Sequence, residues 1–197
     1  KTYTAQLAAL ALLVAILVDK PALMDSLTAL PDIAAETLVL SETIPTWIQR
    51  YRYAEQFAAI GRGYNYCTAF EIGQKVKEMC AVTVEEYSEA DFRHGPIAII
   101  QRGFPVIVAA PEGKPLSVVR DLLDKLCNLE AETLVISNHA DTLAAAQHAM
   151  PIPGKLPEWL SPVASVIPGQ IFAFHLTLAR GLPVDKPEGI SKITDTI

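Results

Sequence analysis

The rhythm of apolar residues along this chain changes near Gln56. Before it, apolar positions recur at helical spacing or run together. Leu7 to Val18 is an unbroken apolar run, Pro21 opens a second helical stretch, Pro31 opens a third, and Ser41 or Thr43 leads into an amphipathic stretch from Ile44 to Tyr53. Thr2 or Thr4 is placed to cap the first helix. After Gln56 the runs shorten. Phe57 to Ile60 is apolar and ends in Gly61-Arg62-Gly63, followed by a helical pattern to about Met79. Ala81 to Tyr87 alternates β-branched and polar residues as a strand does, and Phe104 to Ala110 and Thr133 to Ser137 read as buried strands around an amphipathic helix over Ser117 to Leu129. Short apolar strands alternating with helices predict an α/β domain with a parallel sheet covered on both faces. The chain is rich in proline from Pro153. An apolar helical stretch from Trp159 to Arg180 follows, with a kink or break expected at Pro168 and Gly181 closing it, before a polar tail from Pro183 to Ile197.

Composition narrows the class. Hydrophobic residues make up 51% of the chain and charged residues 19%, which predicts a compact body with some apolar surface given to another chain or domain. The formal net charge of −6 and the scattered lysines and arginines argue against nucleic acid, although backbone amides and helix ends still suit an anionic small molecule. Cys67, Cys80 and Cys127 are far apart with no C-x-x-C spacing, as expected of structural thiols in a reducing cytoplasm. The histidines show no metal-ligand spacing, and His139 and His148 read as surface or loop residues. The run Leu7 to Val18 falls short of the roughly 20 residues that cross a bilayer. Lys1 alone is a poor basic start for a signal peptide, and Asp19-Lys20-Pro21 stands where small cleavage residues belong. The expectation is no membrane partner, and a buried helix that faces a partner on most sides. An opening on Lys1 rather than Met reads as a processed product or a piece of something longer.

Three segments carry candidate chemistry. The Gly61-Arg62-Gly63 turn lies at a strand's carboxyl end, where open α/β sheets hold ligands, though tight turns need glycine for steric reasons as often. Glu71, Lys75 and Glu78 fall at i, i+4 and i+7 and share one helix face. That face is either a solvated one with an i,i+4 pair or a proton-transfer site, in which a carboxylate base moves a hydrogen between adjacent sugar carbons and a lysine holds the carboxylate or the substrate oxygen. His94, in Asp91-Phe-Arg-His94-Gly95-Pro96, is stiffened by its Gly-Pro turn and suits proton movement between the oxygens of a sugar ring, or else caps the next helix. Lys192, in Ser191-Lys192-Ile-Thr194, matters to chemistry if the tail folds back over a pocket.

Taken together these segments resemble the sugar isomerase (SIS) domain family, and within it the C-terminal half of the isomerase module of glucosamine-6-phosphate synthases and their stand-alone relatives. Lys1-Thr-Tyr-Thr-Ala-Gln6-Leu is similar to the opening of the linker helices between that module's two SIS domains. Gly61-Arg-Gly63 with Glu71-x-x-x-Lys75-x-Lys77-Glu78 resembles the family's strand end and Glu-Gly-Ala-Leu-Lys-Leu-Lys-Glu helix. The stretch Glu86 to Pro96 resembles its Glu-Ala-Tyr…Glu-Leu-Lys-His-Gly-Pro, and Gly181 to Pro187 with Ser191-Lys192 its closing tail. Three departures stand out. Gly73-Gln74 replaces Ala-Leu, the tail from Pro187 to Thr194 is more like that of stand-alone isomerases, deaminases and deglycases, and the Ser/Thr-rich phosphate loop of the N-terminal SIS domain is absent from this sequence.

The resemblance implies a three-layer αβα sandwich on a five-stranded parallel sheet, with helical linker residues 1–53 before an SIS domain over residues 54–197 and its closing tail. It implies that Glu78 shuttles a proton between C1 and C2 of a phosphorylated sugar or amino sugar. His94 would open the ring in a partner subunit's site, Lys192 would lie near the sugar carbonyl, and Glu71 and Lys75 would support the same face. The implied protein is the C-terminal half of an aldose–ketose isomerase or deaminase. It would be cytoplasmic and homodimeric, without metal or organic cofactor, and completed by an N-terminal SIS domain. A deglycase of sugar-phosphate–amino-acid adducts and a non-catalytic phosphosugar sensor are the alternatives.

Overall fold

A computed structural model describes residues 2–187 of the protein. Three helices open the chain, α1 (Thr2–Val18), α2 (Pro21–Thr28) and α3 (Leu30–Leu40), and short 3-10 turns flank the one-turn α4 (Ile44–Trp47). Proline sits in the first turn of α2, α3 and α4, where its missing N–H costs no intrahelical bond. From Gln56 the chain alternates strand and helix: β1 (Gln56–Gly61), α5 (Tyr66–Cys80), β2 (Thr83–Ser88), α6 (Glu89–Arg93), β3 (Pro105–Ala109), α7 (Leu116–Asn128), β4 (Glu132–Ser137), α8 (Ala140–Ala144), β5 (His148–Pro151) and α9 (Ser161–Ala179). The five strands form one parallel sheet in the order β2-β1-β3-β4-β5.

Strand alternation divides the core into two layers, because successive side chains of a strand point to opposite faces. Phe57, Ala59, Ile107, Leu134 and Ile136 point to one face and meet Ile72 and Val76 of α5 and Phe172 and Leu176 of α9. Ala58, Ile60, Val106, Val108 and Val135 point to the other and meet Phe92 of α6 and Leu122 and Leu126 of α7. The predicted three-layer α/β sandwich with five parallel strands is what forms.

Helix α9 runs unbroken through Pro168, which is buried along with Val166 and Gly169, so packing outweighs the lost backbone bond. Its end follows expectation: Gly181 at φ 73° lets the Leu182 amide bond Thr177 O and its own amide bond Leu178 O. By length and composition Glu158–Ala179 would pass for a membrane span, yet 61% of its most apolar window is buried inside this protein. His148 is not a surface or loop residue. It opens edge strand β5, and its ring stacks on Trp47 at 4.4 Å with Nε2 buried and without a hydrogen-bond partner. His139 caps α8, its Nδ1 accepting from the Thr142 amide at 3.3 Å. Helix α1 is not buried within this chain: Ala11 and Ala15 are, whereas Leu10, Leu13, Ile16 and Leu17 are 51–74% exposed.

Candidate functional site

Helix α5 carries the predicted carboxylates. Its start is fixed by two glycines: a Cβ at Gly61 would lie 2.0 Å from Asn65 O, and Gly63 adopts φ 58°. Strand β1 thus turns straight into α5, which then runs antiparallel to the strands toward their amino ends. The helix stops where Ala81 adopts a left-handed φ of 53° and its amide bonds Lys77 O. Glu78 therefore lies on the last turn, roughly 18 Å along the axis from Tyr66 at 1.5 Å per residue.

Glu78 is held from two sides. Lys75 Nζ donates to its Oε2 at 2.6 Å and Gln74 Nε2 to its Oε1 at 2.7 Å. Burial pushes the Glu78 carboxyl up, but the bonds from Lys75 and Gln74 and the charges of Lys75 and Lys77 outweigh it, so its pKa falls below the usual carboxylate value. At neutral pH Glu78 is an ionised acceptor, the state a proton-abstracting base must start from. Lys75 pairs with Glu78 rather than with Glu71, and among the described residues Glu71 forms no ion pair. Glu71 instead places its charge near Tyr3 of α1, whose hydroxyl shares a 3.2 Å hydrogen bond with Cys67 Sγ. Burial, and after it that bond, raises the Tyr3 pKa, and the Glu71 charge adds to the rise.

The segment after α9 returns to Glu78. Leu182, Pro183 and Pro187 line a crevice of about 40 Å³ with Glu78, Met79 and Ala81. Lys192 follows five residues beyond Pro187 and lies outside the described residues.

His94 is elsewhere. Strand β2 ends at the carboxyl edge in Ser88, whose Oγ caps α6 by accepting from the Asp91 amide and donates to Asp91 Oδ2 at 2.7 Å. Phe92 plugs the core on the face opposite α5 and packs on Tyr87 at 5.2 Å. His94 caps the C-terminus of α6, is exposed, and makes no side-chain hydrogen bond among the described residues. In one chain Glu78 and His94 therefore sit on opposite faces and toward opposite ends of the sheet.

Two glycines follow the carboxyl ends of β1 and β3 and are closely packed by other segments. Glu158 Oε2 accepts from the Lys114 amide at 3.0 Å and fills the space a Cβ on Gly113 would need, while Pro115 packs over Gly63. A concavity of about 640 Å³ does not include Glu78 in its lining. It lies at the amino edge of β4, where Arg50 bonds Glu132 Oε2 at 2.8 Å and Arg102 pairs with Glu130 at 2.8 Å, so its facing charges already satisfy one another. The sequence reading missed Gln74 as a partner of Glu78. Its i,i+4 spacing was the available signal.

A family model described as SIS domain matches residues 51–180. Glutamine–fructose-6-phosphate aminotransferase [isomerizing] of Pyrococcus horikoshii is 32% identical over 200 residues, covering 98% of this chain and 33% of the relative. Its counterpart of Aquifex aeolicus is 31% identical over 195 residues with the same coverage. Among solved structures, the C-terminal domain of glucosamine-fructose-6-phosphate aminotransferase from Francisella tularensis superposes with a TM-score of 0.76 at 20% identity, over 82% of this chain and 46% of that one. A putative tagatose-6-phosphate ketose/aldose isomerase from Clostridium novyi gives 0.77 at 18% identity, over 93% and 50%. The solved structures speak for the fold. The chain spans about a third of the length of the curated relatives it matches.

Proposed function

The chain belongs to the SIS domain family, and we propose that it is the second of two such domains in an enzyme that isomerises or deaminates a phosphorylated sugar or amino sugar. The observation that carries this reading is the ionised Glu78 carboxylate, gripped by Lys75 and Gln74 beside the segment that leads to Lys192. Glu78 takes the proton from one of the two carbons C1 and C2 and returns it to the other through an enediol or enamine. Lys75 steadies the carboxylate and Lys192 supports charge on the sugar carbonyl oxygen. His94 opens the ring. Its distance from Glu78 within one chain supports delivery to the site of a second subunit in a homodimer. Ring opening breaks the ring C–O bond as His94 moves a proton between the two oxygens, the isomerisation needs only proton transfer, and deamination in addition takes up water to release ammonia. Residues 1–53 act as the linker and residues 54–197 as the domain and its tail in a cytoplasmic protein. The preceding SIS domain supplies the phosphate loop this sequence lacks.

The test is Glu78→Gln in the full-length protein, which keeps shape and removes basicity. Turnover of fructose 6-phosphate and of glucosamine 6-phosphate should fall by about 10²–10⁴-fold while binding of the sugar phosphate is retained. Undiminished turnover would overturn the proposal.

A further inference from the structure

Among the described residues the His94 imidazole makes no hydrogen bond, and its aim is set by the backbone that carries it. That backbone is a five-residue helix, too short to hold itself in place. It is secured by a charged latch. Glu89 is 3% exposed, and its carboxylate pairs with the Arg93 guanidinium one turn later on α6. Arg93 also reaches across to α7, donating through Nη2 to the carbonyl oxygen of Val118 at 2.5 Å. A planar guanidinium can serve both acceptors at once, whereas an ammonium holds one well. The residue after Arg93 is His94, and Gly95 then turns at φ 148° into the Pro96–Ile99 turn. The Phe92 plug sets the depth of α6, and the latch fixes its rotation against α7.

A carboxylate sunk this far into the protein is costly to desolvate, and an apolar pair would hold α6 at least as firmly. What the ion pair with its fork to Val118 adds is direction. We infer that Arg93, braced by Glu89 and the Val118 carbonyl, is the positioning residue that aims His94 out of its own chain at the sugar ring. This rests on the reading of His94 as the ring-opening group.

The test is a double-mutant cycle in the full-length protein, following turnover of fructose 6-phosphate. His94→Ala alone should lower kcat. Arg93→Met should lower kcat by about 10–10²-fold with KM changed less than about twofold, since a misplacement of about 1 Å costs this much. In the His94→Ala background Arg93→Met should cost nothing further. Arg93→Lys keeps a charge for Glu89 and so guards against a variant that fails to fold; it should lower kcat several-fold, an effect again absent without His94. If His94→Ala leaves kcat intact, the ring-opening reading itself falls. If His94→Ala is crippled but folded Arg93 variants match the wild type, or their losses multiply with that of His94→Ala, the latch is purely structural and this inference alone falls.

Discussion

Gly73 leaves no room for a methyl group: a Cβ there would lie 2.2 Å from Glu86 Oε1 and 2.5 Å from its Cγ. The Glu86 side chain is only 10% exposed and pairs with Lys77 Nζ at 2.6 Å, so it cannot retreat without giving up that partner. Glycine inside a helix costs about 1 kcal/mol relative to alanine, and crowding a packed site costs about 1–3 kcal/mol. In this background Gly73→Ala should therefore lower stability by up to about 2 kcal/mol in urea denaturation. With Glu86→Ala in place the crowding disappears and the sign should reverse, to a gain near 1 kcal/mol. The departure from alanine noted in the sequence at position 73 thus has a cause on the neighbouring strand. No local pattern reveals it, because β2 and α5 meet there only in the folded chain.

Among the elements, helices α5 and α9 pack closely against each other. A Cβ on Gly169 would come within 2.4 Å of Ile72 Cγ1, so the two helices meet at a glycine. Gly169→Ala should force them apart at about 1–3 kcal/mol, lowering the thermal midpoint and, through α5, disturbing the Glu78 turn. The strands that read clearly from sequence, Phe57–Ile60, Phe104–Ala110 and Thr133–Ser137, are central strands buried on both faces, which sequence registers as short apolar runs. β5 escaped because it is a four-residue edge strand, His148-Ala-Met-Pro151, with one residue fully buried. The unbroken course of α9 through Pro168 was equally hidden, since a local breaker rule cannot weigh the burial that overrides it. For the candidate site, the shared face of Lys75 and Glu78 was legible from helical spacing. The return of residues 182–187 to Glu78 was not, being a contact between segments a hundred residues apart.

At the scale of the whole molecule, α1 is the unfinished surface. Leu10, Leu13, Ile16 and Leu17 stand exposed, and Leu7, Leu10 and Val14 line an apolar groove of about 530 Å³ with Tyr64 and Trp159. Exposed apolar surface of this extent marks an interaction site, and the chain spans about a third of the length of its curated relatives. Under the proposed two-domain reading, the preceding domain covers α1. A cysteine at Leu13 should then react with a maleimide at least tenfold more slowly in the full-length protein than in residues 1–197 alone, which mass spectrometry reads directly. The placement of Glu78 and His94 on opposite faces and toward opposite ends of the sheet has a consequence for heredity as well as for chemistry. Under the proposed dimer, two damaged alleles, one Glu78→Gln and one His94→Ala, would each fail alone. Co-expressed, their subunits would form mixed dimers in which one of the two sites combines an intact base from one parent with an intact histidine from the other. Random pairing gives about a quarter of the wild-type turnover back, so that two recessive defects at this locus complement each other.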